Sequence, residues 1–184
     1  MSFLKKIFSP DPEIEKQATF QEIERQFKGD EINKAKAGWL TMRGNNYGMS
    51  RKLDKAISDF EEALQYEPNR PSTLVSLGAA YNHKRRWEDG ISALEKAKGF
   101  LSSIESDFHR STQEHNLYYE LGNAYFFTDN KEQAIQNLYA ALEAVDRMKT
   151  LRKQGKVDDE EWEAAQRMLA PMIKNTEWLL AKIR

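Results

Sequence analysis

Apolar and small residues recur along this chain at helical spacing, and the same arrangement returns three times. Leu40, Gly44 and Tyr47 stand at i, i+4 and i+7; Leu74, Gly78 and Tyr81 repeat them, and Tyr118, Gly122 and Tyr125 do so again. Each set is one stripe of an amphipathic helix. Nine residues after each tyrosine comes a small residue, Ala56, Gly90 or Ala134. An isoleucine follows it, then Phe60, Leu94 or Leu138, then Ala63, Ala97 or Ala141, which makes a matching stripe on a second helix. A match in three registers is improbable by chance, so the pattern predicts consecutive helical hairpins over about 37–70, 71–104 and 115–148, with an insertion at 105–114. In each first helix the glycine lets the partner helix approach, and small residues facing large ones interdigitate. A single hairpin cannot bury its own face, so neighbours must supply the core and the two ends need caps.

The flanking patterns predict those caps. Asp11 followed by Pro12 reads as a helix start and Gly29 as its stop, with Ile14, Ala18, Ile23 and Phe27 as the apolar stripe of an N-terminal helix over 11–29. The repeat region spans 30–154. Its first helix runs from Asp30 through Tyr47, its second from about Leu53 to Tyr66, and Pro71 suits the first turn of the next. From Trp87 the apolar positions Ile91, Leu94, Leu101, Ile104 and Phe108 continue, which predicts a lengthened helix, with a loop as the alternative. Ser111 and Glu114 read as a capping box opening the third hairpin. Its second helix extends through Val145, Met148 and Leu151 toward Gly155. Over 155–184, Asp158 to Glu161 form an acidic helix start, and Trp162, Ala165, Leu169, Met172, Thr176, Leu180 and Ile183 follow as the stripe of a C-terminal capping helix. Pro171 is expected to kink or divide it.

These residues resemble the tetratricopeptide repeat family over roughly 37–146, with three repeats and the size of a small bacterial-type member. The resemblance implies an all-α fold: an alpha-alpha superhelix, or solenoid, with capping helices at both ends. It also implies a concave groove lined by the first helices. Carried over position by position, the groove residues are Thr41, Asn45 and Met49 from the first repeat, and Val75, Ala79, Asn82 and His83 from the second. The third contributes Asn116, Tyr119, Asn123 and Phe126, while Gly38, Gly48, Ser72 and Phe127 occupy further positions of the same set. Asn45 and Asn123 share one repeat position, and an amide can both donate to and accept from a peptide backbone. The implied role is a non-catalytic protein-protein interaction module, scaffold or adaptor, that binds a peptide or helix of a partner. A chaperone-like protein for a secretion or assembly substrate, or a membrane-peripheral assembly factor, are the alternatives. The family's clamp for chaperone tails needs basic residues at defined positions, where this chain has Thr41, Asn45, Ser76, Asn116 and Glu120, so capture of a C-terminal carboxylate in that manner is not implied.

Composition narrows the chemistry. A net charge of −1 gives no electrostatic footprint for nucleic acid. Cysteine is absent, which removes disulfides, thiolate catalysis and zinc thiolate sites. His83, His109 and His115 lack ligand spacing, Asp158 to Glu161 lack a calcium-loop spacing, and no glycine-rich phosphate loop occurs. No catalytic residue, metal ligand or cofactor is therefore assigned. Trp87, Trp162 and Trp178 lie on apolar stripes and read as core. Residues 1–10 place Phe3, Leu4, Ile7 and Phe8 on one face beside Lys5 and Lys6. Such a segment can dock on its own domain, on a partner or on an anionic membrane surface, the last only weakly. No apolar run reaches the roughly 18 residues of a membrane span, and a cytoplasmic location is the expectation. Oligomeric state stays open.

Overall fold

The computed structural model describes residues 11–183, and the amphipathic segment 1–10 lies outside them. Among the described residues the regular structure is helical: α1 (Pro12–Gln26), α2 (Asp30–Met49), α3 (Leu53–Tyr66), α4 (Pro71–His83), α5 (Trp87–Lys98), α6 (Asp107–Phe127), α7 (Lys131–Lys153) and α8 (Asp159–Ile183). Helices α2 to α7 pack as three consecutive hairpins, with α1 against the first and α8 against the last.

All three hairpins turn in the same way. Arg51, Arg85 and Asp129 each sit at a positive φ, between 58° and 59°. The next amide donates back to the repeat tyrosine's carbonyl: Lys52 to Tyr47, Arg86 to Tyr81 and Asn130 to Tyr125, each at 2.9 Å. This is the Schellman closure of a helix C-terminus, here with residues other than glycine in the left-handed position. Such residues cost about 1 kcal/mol each in that conformation, which tertiary packing must offset. The motif sets the angle at which each second helix returns, and with it the contact between the two stripes.

That contact explains the repeat glycines. A Cβ on Gly44 would lie 2.6 Å from the Phe60 ring, and one on Gly78 would lie 2.5 Å from Leu94 Cγ. At Gly122 it would meet Leu138 at 2.6 Å. Phe60, Leu94 and Leu138 are buried, as are Ala56, Ala63, Ala97, Ala134 and Ala141. Burying each large side chain contributes about 1.5–3 kcal/mol, and close packing adds dispersion that a wider helix separation would forfeit.

The structure departs from the sequence reading at several places. Helix α5 is not lengthened: it stops at Lys98, and Leu101–Ser103 form a 3-10 turn. Gly99 is a poor helix residue, and Ser103 Oγ donates to the Phe100 carbonyl at 2.7 Å, which favours a local turn. The additional residues instead lengthen α6 at its start. Ser106, not Ser111, caps it by accepting from the His109 amide at 3.2 Å, and Ser111 is buried within the helix. Phe108 thereby reaches a cluster with Val145, Met148, Val157, Ala165 and Leu169. On α1 the buried face carries Phe20 and Ile23, packed toward Trp39 and Tyr66, while Ile14 and Phe27 are exposed. Pro171 leaves α8 continuous, because it lies on the exposed side, where water can serve the freed carbonyl. Trp178 is on that side too and is 52% exposed rather than core.

Candidate functional site

The first helices of the hairpins lie side by side, and one polar link joins each to the next. Thr41 Oγ1 on α2 meets Thr73 Oγ1 on α4 at 2.7 Å. Asn82 Nδ2 on α4 donates to the Glu120 carbonyl at 3.0 Å and to Glu120 Oε2 at 2.9 Å on α6. Asn175 Nδ2 on α8 donates to the Tyr119 hydroxyl on α6 at 2.9 Å. Buried hydrogen bonds of this kind fix register more sharply than apolar contact, since a slip would leave each partner unsatisfied. The third link shows that α8 takes the place of a fourth first helix and forms the far wall of the groove.

Two troughs open along this row. The larger, about 560 Å³, is bordered by Asn45 and Met49 of α2, Ser72, Val75, Ala79 and His83 of α4, Gln113 and Asn116 of α6, and Met168 of α8. Phe60 and Ala80 contribute to its floor, and no lysine, arginine, aspartate or glutamate lines it. Met49 is 78% exposed, and Asn116 Oδ1 is buried with no hydrogen-bond partner among the described residues. The smaller trough, about 360 Å³, is lined by Asn82, His83, Trp87, Tyr119, Glu120, Asn123, Phe127 and Met172.

Of the residues expected in the groove, Asn45, Met49, Val75, Ala79, His83 and Asn116 border the larger trough, and Asn82, His83, Tyr119 and Asn123 the smaller. Thr41 and Phe126 border neither. Thr41 is buried and also donates to the Ala37 carbonyl, so its hydroxyl is occupied by the fold. Phe126 packs on Leu138, Leu179 and Leu180. Its neighbour Phe127 is the one turned outward, stacked on Trp87 with ring centroids 4.7 Å apart. Met172, expected in the capping stripe, and Met168 line the troughs although the sequence places neither in the groove, because they belong to a helix far along the chain, beyond the repeat pattern. Trp87 carried a faint signal, as a large aromatic directly after a hairpin turn.

Several groups carry shifted pKa values. Burial pushes the Glu120 carboxyl up, while the Asn82 hydrogen bond and the nearby His83 act the other way. Burial likewise raises the Tyr119 phenol, with the Asn123 and Asn175 amides opposing. His115 is fully buried rather than at the surface, and burial lowers its pKa. Its Nδ1 lies 3.0 Å from the Ala141 carbonyl and its Nε2 has no partner. Tyr81, buried and donating to Glu61 at 2.7 Å, is pushed up to about 12.

A third cavity, about 610 Å³, lies between the extended ends of α6 and α7. Two ion pairs cross its lining, Arg147 with Glu114 at 2.6 Å and Arg110 with Asp107. Among the described residues no group of three His, Asp or Glu side chains converges on a metal position, and no helix is long and apolar enough to cross a membrane.

The tetratricopeptide repeat profile matches residues 115–144, within the third hairpin. No curated protein matches the chain. Among solved structures it is similar to the first tetratricopeptide repeat domain of human RPAP3, determined by NMR, at 19% identity and a TM-score of 0.53, over 80% of this chain and 94% of that one. It is also similar to the first such domain of Spaghetti (RPAP3) bound to the HSP90 peptide SRMEEVD, at 21% identity and a TM-score of 0.51, over 65% of this chain and 92% of that one. At these identities the likeness is one of fold.

Proposed function

We propose that the protein is a non-catalytic binding module that holds an extended segment of a partner protein along the face formed by α2, α4, α6 and α8. The observation that carries this reading is the larger trough, where Asn45, Gln113 and Asn116 stand beside Met49, Val75, Ala79 and Met168 with no charged side chain. Amides satisfy a peptide backbone in either direction, and methionines adapt to varied side chains. The acidic residues of a peptide such as the SRMEEVD bound to the RPAP3 domain would find no lysine or arginine here. The segment that fits is uncharged along this stretch, with apolar side chains alternating toward the floor.

The test is selection of peptides from a random displayed library on the full chain, followed by affinity measurement with Asn45→Ala/Asn123→Ala. Asn45 is exposed and Asn123 half-buried, so the expected outcome is roughly tenfold weaker binding with little change in the unfolding midpoint. Peptides that bind the double variant as tightly as the native chain would remove the groove from consideration.

A further inference from the structure

Glu120 is a carboxylate whose burial the fold does not require. It is only 8% exposed, its Oε2 accepts from Asn82, and no lysine or arginine among the described residues pairs with it. A glutamine would serve the Asn82 bond equally well without the desolvation cost of a charge. Burial pushes its carboxyl up, and the Asn82 hydrogen bond and the nearby His83 oppose that only in part.

The surroundings suit a cation. Trp87 and Phe127 stack within 12° of parallel and form one wall, with Tyr119 and Met172 lining the space as well. Two rings stacked on each other each cover one face of the other, so a cation can use the outer face of one ring, and a guanidinium both lies flat on such a face and forks its donors to a carboxylate. At about 360 Å³ the trough is at the small end of ligand cavities and has room for a long side chain. His83 lines both troughs, so the pocket adjoins the proposed peptide path.

We propose that this pocket receives the guanidinium of an arginine carried by the bound peptide, paired with Glu120 and lying against Trp87 and Phe127. This deepens the peptide-binding reading and rests on it, while the pocket can be tested without any peptide. The full chain is titrated with N-acetyl-arginine amide, its lysine counterpart and its neutral citrulline isostere, with the Trp87 indole followed by NMR. The expected result is a saturable shift at Trp87 with the arginine derivative, at least tenfold weaker with citrulline and at least tenfold weaker in Glu120→Gln, which keeps an acceptor for Asn82. Phe127→Ala, at an exposed position, should weaken it severalfold while the fold persists. Equal responses to arginine and citrulline, undiminished binding in Glu120→Gln, or tighter binding of the lysine derivative would each overturn the assignment. Peptides selected from the displayed library supply the second arm. Enrichment in arginine, with affinity lost in Glu120→Gln, supports the pocket. Peptides that depend on Asn45 but not on Glu120 would overturn the pocket and leave the groove standing. Binding of the arginine derivative with no peptide selected would overturn the groove and the peptide-borne anchor together.

Discussion

Helices α1 and α8 each cover an end of the stack, and they hold on by different means. On α1 the buried apolar residue is Ile23, helped by the half-buried Phe20 ring edge-on to Trp39 and Tyr66. Polar ties add to this: Lys16 pairs with Glu62 of α3 at 3.2 Å, Lys36 of α2 pairs with Glu24 at 2.5 Å, and Arg43 Nη1 donates to the Pro12 carbonyl at 3.1 Å. Helix α8 instead lays Ala165, Leu169, Leu179 and Leu180 into two clusters on the last hairpin. Part-exposed ion pairs contribute little, whereas continuous apolar burial scales with area. The end that also builds the groove wall is thus the one held by a continuous apolar stripe, while no residue of α1 lines either trough.

The first way to break this contrast is at the ion pair beneath α1. Arg43 Nε and Nη2 each donate to Asp59 at 2.7 Å, and the two side chains are 11% and 6% exposed. Asp59→Ala leaves the guanidinium buried without its partner, and a loss of about 3–5 kcal/mol in urea unfolding is expected. A loss below about 1 kcal/mol would mean that the pair is solvated. At the other end, Leu179→Ala empties a site that is 1% exposed and should cost roughly 2–5 kcal/mol. It should also weaken peptide capture, because the wall carrying Met168 and Met172 moves with it. Unchanged capture would separate α8 from the groove.

The third test lies inside the last hairpin. The folded pKa of His115 is lowered below the ordinary 6.5, so the unfolded chain takes up the proton first. Stability is then complete above about 6.5 and falls as pH drops toward the folded value, by up to about 1.4 kcal/mol per pH unit, levelling off below it. Denaturation midpoints between pH 5 and 7.5 should show this slope in the native chain and a shallower one in His115→Asn. The smallest effect belongs to α1: Ile14 is 58% exposed, and Ile14→Gln should change stability by less than about 0.5 kcal/mol. A larger loss would place the sequence-predicted stripe, not the Phe20 face, against the core.

The hairpins could be read from the chain because their periodicity is local: Gly44 with Phe60, Gly78 with Leu94 and Gly122 with Leu138 recur at a spacing that only one packing satisfies. Of the residues expected in a groove by position, Asn45, Ala79 and Asn116 border the larger trough. Thr41 lines neither trough because its hydroxyl meets Thr73 from another hairpin, a contact that helical periodicity does not encode. Phe126 packs inward and Phe127 turns outward for a related reason. Adjacent residues on a helix point about 100° apart, and which of the two faces outward depends on where α8 and Trp87 come to rest.

By itself the sequence determined the helices, their pairing and the small-against-large seam, because those follow from residues within a few turns or one short loop of each other. Only the tertiary structure decided that α8 stands beside α6 as the groove's far wall, that Asn82 and Glu120 meet, and that Trp87 stacks on Phe127. Those contacts join residues on different helices. They depend on how three similar left-handed turns accumulate into one curvature, a quantity that no single stretch of the chain contains.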